Sequence, residues 1–206
     1  MSDARERFRA SLAMDADKWR DGTPYDLDAF DAMSAAQRQS EASSLAARGK
    51  LDWRDVDVIE RLDSPEFRDR LSRAALQQDD HGGAAALAAV ARHGWTAEWE
   101  ARLIGQFEAA RLMETSLYRL FELTESHPTT GLRAALERLA FEGKPETRYA
   151  FAAFLLYLHG HADTWYGLEA EHRPHLLRLS GSPEEQMAAR DWLKARLKAP
   201  LRTDRA

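Results

Sequence analysis

One run of the sequence restricts the fold more than any other. Residues 149–158 are apolar at every position, after Pro145 and before Gly160. Proline favours the first turn of a helix and glycine favours its end, so the run predicts a helix over 145–159. A helix that is apolar all round must be covered on every side. The run is about half as long as the roughly 20 residues of a transmembrane helix. We therefore expect a central buried helix, covered by residues 161–199, and no membrane partner.

The rest of the chain has the pattern of amphipathic helices with short breaks. The strong helix formers Ala, Leu, Arg and Glu dominate. Apolar residues recur at helical spacing, and no segment has the alternation of a strand. The pattern predicts an all-α fold. A helix that opens at Thr96 is expected to continue, kinked or bent, to Phe121, and residues 161–181 are expected to be irregular.

Similar helix starts recur along the chain. Residues 65–71 resemble residues 130–136, and the Pro-Glu-x-Arg opening at Pro65 returns at Pro145. A spacing of about 65 residues is twice a period of about 32, the scale of a helical-hairpin repeat. Such hairpins bury their apolar faces by stacking on each other. The repeat therefore predicts stacked antiparallel helical hairpins, with an ordinary irregular helical domain as the alternative.

Two parts of the chain resemble HEAT-type repeats. Leu51-Asp52-Trp53-Arg54-Asp55-Val56, followed by Asp63-Ser64-Pro65, resembles a degenerate HEAT repeat. Residues 127–136 and 151–160 resemble a group of bacterial HEAT-like proteins of unassigned activity, some of which are similar to immunity proteins that neutralise toxins of competing bacteria. The resemblance covers roughly residues 51–180. It implies a HEAT-like α-solenoid that binds a toxin. We also expect no cofactor.

The expected organisation is one helical domain over residues 1–206. Residues 1–50 supply N-terminal helices and an acidic loop, residues 51–160 the HEAT-like repeats, and residues 161–206 an irregular segment and a capping helix.

The composition and the absence of motifs exclude several functions. The chain has no cysteine, which rules out disulfides, thiol catalysis and thiolate metal sites. Its net charge of −5 gives little electrostatic support to nucleic-acid binding. No secretory signal is visible, so a cytoplasmic protein is expected. The sequence contains no phosphate-binding glycine loop, nucleophile elbow or HExxH motif, and we expect no enzyme.

Two of the six tryptophans lie in predicted irregular segments among acidic residues. Large aromatic side chains in such places often anchor a partner. An acidic surface that carries them suits a basic partner, such as the nucleic-acid-binding face of a toxin domain. The alternative is that both loops fold back on the last helices. The predicted contacts are Asp17, Trp19, Asp21, Tyr25, Asp26 and Asp28 in the N-terminal loop, and Asp163, Trp165 and Glu169 near the C-terminus.

A histidine cluster raises a further alternative. His159, His161 and Asp163 are weak candidates for a metal site, because imidazole and carboxylate are common zinc ligands. His159 is more simply explained as a cap at the end of the apolar helix, and we predict no metal. Three alternative functions stay open: a regulatory HEAT-like scaffold, a HEAT-like DNA glycosylase and a metal-dependent hydrolase. The pattern leaves the choice between monomer and dimer open.

Overall fold

The structure, a computed structural model, describes residues 3–13, 15, 18, 22–111, 117–165 and 171–198. These residues form twelve α-helices and one short 3₁₀ helix, with no strand among them, so the predicted all-α class is confirmed. The chain divides into two compact units, Met1–Gly94 (unit 1) and Trp95–Ala206 (unit 2). The expectation of one helical domain over residues 1–206 stays a prediction, because it depends on whether the two units unfold together as one cooperative domain.

The described part of unit 1 contains six helices. From the second helix onward, the Ser or Asp before each helix accepts a backbone N–H of the first turn. Ser64, for example, accepts from the Phe67 N–H at 3.3 Å. The helices are α1 (Ala4–Ser11), α2 (Leu27–Asp31), α3 (Ala35–Ala46), α4 (Trp53–Glu60), α5 (Pro65–Gln77) and α6 (His81–Ala91).

The alanine-rich helix α6 forms the centre of unit 1. Both α4 and α5 pack on it, and all its residues from Gly82 to Ala91 except Ala88 are buried. The side-chain amide of Gln78 fixes its start, because it accepts from the Leu51 N–H at 3.0 Å and donates to the Leu51 carbonyl at 2.9 Å. Small residues on α6 let the neighbouring backbones approach closely.

Unit 2 also consists of helices alone in its described part. Its helices are α7 (Ala97–Ala109), α8 (Leu117–Ser126), α9 (Thr130–Glu142), α10 (Pro145–Leu158), α11 (Arg173–Leu177), the 3₁₀ helix Arg178–Ser180 and α12 (Pro183–Arg196). Helix α7 ends at Ala109, since Ala110 has an extended backbone with ψ of 139°. The predicted continuation toward Phe121 crosses residues 112–116, which lie outside the described residues.

The apolar helix α10 is buried as predicted. Residues 151–157 are all buried, and α9, α11, α12 and the 3₁₀ helix pack on α10. The predicted cover by residues after 161 is confirmed for their described part. That cover is more regular than expected, because Pro174 starts a short helix whose Leu176, with Leu179 in the 3₁₀ turn, reaches the core.

Two basic side chains donate hydrogen bonds to the C-terminal ends of helices that are distant from them in sequence. Arg70 donates to the carbonyls of Ala46 and Arg48 just at and beyond the end of α3, and Lys144 donates to Ala109 and Ala110 at the end of α7. The last carbonyls of a helix have no partner within the helix and carry the negative end of its dipole. These cations therefore have a structural role.

Candidate protein-binding surface

An aromatic cluster in unit 2 extends from the core to the surface. The Phe121 ring of α8 stacks on Phe154 of α10 with centroids 4.2 Å apart. The Trp165 indole meets Phe121 edge to face at 5.8 Å and Phe154 at 6.3 Å. Trp165 is half-buried. The buried phenylalanines therefore form a rigid support for an indole that solvent reaches.

The outermost member of the cluster is Tyr118. Its ring lies 4.4 Å from that of Trp165, and 47% of Tyr118 is exposed. Glu122 follows one turn later on α8, and Asp163 precedes Trp165 by two residues; both are exposed. We call Tyr118, Glu122, Asp163 and Trp165 the Trp165 surface. It combines two aromatic rings with two carboxylates, while Arg119 of α8 is half-buried.

The loop that carries Trp165 leaves α10 through a Schellman motif. Gly160 has φ of 74°, in the left-handed region that glycine adopts at low cost. Its N–H donates to the Tyr157 carbonyl at 2.9 Å, and the His161 N–H donates to the Leu156 carbonyl at 2.8 Å. The Tyr157 hydroxyl donates to Glu125 of α8 at 2.6 Å. These bonds fix the direction in which the chain approaches Trp165.

The histidines near this loop make structural hydrogen bonds. His172 Nε2 lies 2.7 Å from the His161 carbonyl, and His161 Nε2 lies 3.0 Å from the Arg196 carbonyl. A carbonyl only accepts, so both nitrogens donate. His159 is buried at the end of α10, whereas Asp163 is exposed. Within the described residues, no group of three or more His, Asp or Glu side chains is placed to hold a metal ion.

The N-terminal acidic loop is described only in part. Asp17, Trp19 and Asp21 lie outside the described residues, as does Glu169 of the second set. Asp28 is exposed in the first turn of α2. In the described part of this loop, Asp28 is exposed to solvent. Tyr25 and Asp26, which precede it in sequence, instead contact other residues of unit 1.

Tyr25 is buried, and it anchors the loop inside unit 1. Its hydroxyl donates to Asp55 Oδ1 at 3.1 Å, and Arg48 donates to the same carboxylate oxygen at 2.6 Å. Burial raises the pKa of Tyr25, with the Asp55 charge adding to the effect and Arg48 opposing it. The phenol therefore stays protonated and keeps its hydrogen bond to the buried Asp55.

Asp26 is half-buried and has two structural partners. One carboxylate oxygen accepts from the Ala29 N–H at 2.8 Å and caps α2, and the other accepts from Arg7 at 2.8 Å. The bond from Ala29, followed by the Arg7 guanidinium, holds the pKa of Asp26 below its usual value. Asp26 stays ionised to low pH because both partners prefer the carboxylate.

Tyr118 belongs to the Trp165 surface, but it is not among the contacts predicted from sequence. The apolar pattern of this segment contains Leu117, Leu120 and Phe121, which are buried. Tyr118 falls outside that stripe. A large aromatic residue beside, rather than within, the apolar stripe of an amphipathic helix is the signal that could have identified it.

Comparison with known proteins adds no relative. No protein-family model, no curated protein and no solved structure matches the chain. Among the described residues, no helix has both the length and the apolar character needed to cross a bilayer.

Proposed function

We propose that the protein acts by binding another protein at the Trp165 surface, without chemistry of its own. The observation that carries this proposal is the contact between the exposed Tyr118 ring and the half-buried Trp165 ring, whose centroids lie 4.4 Å apart. Tyrosine and tryptophan are enriched at the centres of protein interfaces. The buried rings of Phe121 and Phe154 already hold Trp165 in place, so little side-chain entropy is lost when a partner covers it.

The charge of the surface favours a basic partner. Glu122, one turn after Tyr118 on α8, is exposed, and so is Asp163, two residues before Trp165. An arginine side chain can lie on an aromatic face and donate to a neighbouring carboxylate at the same time. We propose that an arginine or lysine of the partner fills this position. Asp28 in unit 1, with the acidic residues near it in sequence, is proposed as a second acidic contact.

The most specific form of the proposal is a cytoplasmic immunity protein that occludes the active site of a cognate bacterial toxin. The resemblance of residues 51–180 to bacterial HEAT-like proteins supports it. Two pairs of consecutive packed helices, α5 with α6 and α9 with α10, are consistent with hairpins of a HEAT-like solenoid. A regulatory scaffold would use the same surface for a partner that is not toxic.

A photo-crosslinking experiment tests the surface. A photoreactive residue replaces Glu122 in the full-length protein, which is expressed in its source cells and cross-linked there. The control carries the same residue at Met187, which is 62% exposed in the same unit. We expect one protein to cross-link at 122 and not at 187. Equal products at both positions would contradict a specific surface.

Calorimetry with the purified partner then measures the role of Tyr118. We expect Tyr118→Ala to weaken binding by about 30-fold, the effect of a hot-spot residue worth about 2 kcal/mol. Met187→Ala removes a more exposed apolar side chain and should change the affinity less than twofold. An unchanged affinity for Tyr118→Ala would rule out the Trp165 surface as the binding site.

Growth of a host cell separates the two kinds of partner. If the partner is a toxin, its expression stops growth, the wild-type protein restores growth, and Tyr118→Ala restores it less well. A gene for the toxin is expected beside the gene for this protein. A partner that leaves growth unchanged when expressed alone would favour the regulatory scaffold.

A further inference from the structure

The last helices of unit 2 carry cations with no ion-pair partner among the described residues. In unit 1, by contrast, most arginines lie against a carboxylate, as Arg48 does against Asp55. The residues without such a partner are Arg173, Arg178, Arg190, Lys194, Arg196 and Lys198, of which Arg190 donates to the Phe141 carbonyl instead. Unneutralised positive charge on one small region of a protein attracts anions.

Two of the basic side chains in this region contact one indole, and a third, Arg178, lies on a neighbouring turn. The His175 ring stacks on Trp192 with centroids 4.3 Å apart and an angle of 9° between the planes. The Arg196 guanidinium carbon lies 4.0 Å from the centre of the Trp192 ring system. Arg178 follows His175 by three residues, a spacing that places both side chains on one side of a helical turn. Arg178 is exposed, and His175 and Arg196 are half-buried.

The electrostatics of His175 agree with this geometry. Burial lowers the pKa of His175, and the charges of Arg178, Arg196 and His172 lower it further. Of the neighbouring ionisable groups, His172 lies 3.2 Å from the Glu171 carboxylate, which is itself exposed to solvent. The charges that act on His175 are therefore basic, and an anion at this position would favour its protonation.

We propose that His175, Arg178 and Arg196 form a binding site for a phosphate group beside Trp192. The planar guanidinium fork matches the oxygens of phosphate, and a histidine adds a donor that becomes cationic when the anion arrives. Trp192 holds His175 and Arg196 by its ring contacts, so two of the three donors are already oriented. The site lies in the C-terminal helices and is separate from the proposed protein-binding function.

The proposal requires that phosphate binds more tightly when His175 is protonated, and that His175 binds its proton more tightly when phosphate is present. If phosphate raises the pKa of His175 by about one unit, phosphate binds about tenfold more tightly below that pKa than above it. Sulfate has a similar shape, and its charge is constant over this pH range. The same pH dependence with sulfate therefore comes from the protein and not from titration of the ligand.

Proton NMR of the histidine ring signals tests the site in the full-length protein. The pKa of His175, assigned with His175→Gln, is measured with and without millimolar inorganic phosphate. We expect phosphate to raise it in the wild-type protein, and Arg178→Gln to remove most of the effect. Arg173→Gln changes an exposed arginine of α11, the short helix that carries His175, and should keep the effect.

The outcomes distinguish a specific phosphate site from a general attraction of anions to the positive charge of this region. An unchanged pKa with phosphate and with a short single-stranded oligonucleotide would overturn the proposal. Equal loss of the effect in the Arg173 and Arg178 variants would also overturn it, because the effect would then follow total charge. A larger effect of the oligonucleotide would identify a phosphodiester as the source of the phosphate group, and a larger effect of inorganic phosphate would identify a free anion.

Discussion

The carbonyl oxygen of Leu51 lies 1.9 Å from the position that a β-carbon on Gly82 would occupy. Helix α6 thus begins against the backbone that leads into α4, and Gln78 closes the contact with two hydrogen bonds to Leu51. No side chain fits between these two backbones. Glycine is required here because the two backbones approach closely. Its backbone conformation is not the reason, since its φ lies outside the left-handed region.

Gly82→Ala is expected to destabilise unit 1. The added methyl group would meet a backbone oxygen, so α6 or the chain before α4 must move. Overpacking of this kind costs about 1–3 kcal/mol. Thermal and urea unfolding, followed by circular dichroism, measures the change. A variant as stable as the wild-type protein would show that this close contact does not constrain the fold.

Gly105→Ala provides the matched control. Gly105 lies inside α7, and a β-carbon there meets no atom within 4 Å. Alanine should stabilise the helix by about 0.5–1 kcal/mol, because glycine loses more conformational entropy on folding. The same substitution is therefore expected to have opposite signs at the two positions.

The same two variants test the prediction of one cooperative domain. If the whole chain unfolds in one step, both substitutions shift a single calorimetric transition, one downward and one upward. Two transitions, of which Gly82→Ala shifts only one and Gly105→Ala only the other, would show that the units unfold separately. The expectation of a single domain would then be wrong.

Glu41→Gln should reduce the acid sensitivity of unit 1. Glu41 is buried and accepts hydrogen bonds from Arg5 at 2.6 Å and from Arg9 at 2.9 Å. Burial alone would raise its pKa, but the bonds from Arg9 and Arg5 outweigh burial and hold the pKa below the ordinary value of 4.5. A lowered pKa stabilises the fold above about pH 4.5, and this contribution is lost as pH falls through the folded-state value.

The variant is expected to be less stable than the wild-type protein at pH 7 by about 1–2 kcal/mol, because a charged hydrogen-bond acceptor becomes neutral. Urea unfolding between pH 7 and pH 3 should show the two proteins converging at the acid end. Glu6→Gln, an exposed change on α1, serves as the control and should follow the wild-type curve. A constant difference between Glu41→Gln and wild type at all pH values would contradict the assignment.

Asp28→Asn tests the acidic loop as a partner contact. Asp28 is exposed, so its charge can attract a basic partner before contact. We expect association to slow by a few-fold at low salt, with little change in dissociation, and the difference to shrink at high salt. Stopped-flow binding to the partner measures both rates. Asp69→Asn makes the same change on an exposed position of α5, and equal slowing by both variants would argue against a contact at Asp28.

Helices with strong local signals could be predicted from the sequence. The apolar run of α10 requires burial, and α5 and α10 begin at Pro65 and Pro145, as their Pro-Glu openings predict. The short helices α2 and α11 were not predicted. A helix of five residues is unstable alone because nucleation costs more than so few hydrogen bonds return. Such helices depend on burial of Phe30 and Leu176 against the rest of the unit.

The candidate site could be predicted only in part. Trp165 and Asp163 were expected at the surface because they lie in a predicted irregular segment among acidic residues. The exposed Tyr118 was not expected, and Tyr25, a predicted contact, is buried on Asp55. A tyrosine in a loop can pack inward or face solvent, and its local sequence is the same in both cases.

The sequence by itself determined the helical class, the caps and the burial of α10, because these depend on interactions within a few residues or on the apolar character of one segment. The tertiary structure alone decided which distant residues meet: Gly82 with Leu51, Arg70 with the end of α3, and Tyr118 with Trp165. Those contacts depend on how the helices pack. The sequence pattern does not fix packing, since many arrangements bury the same apolar faces.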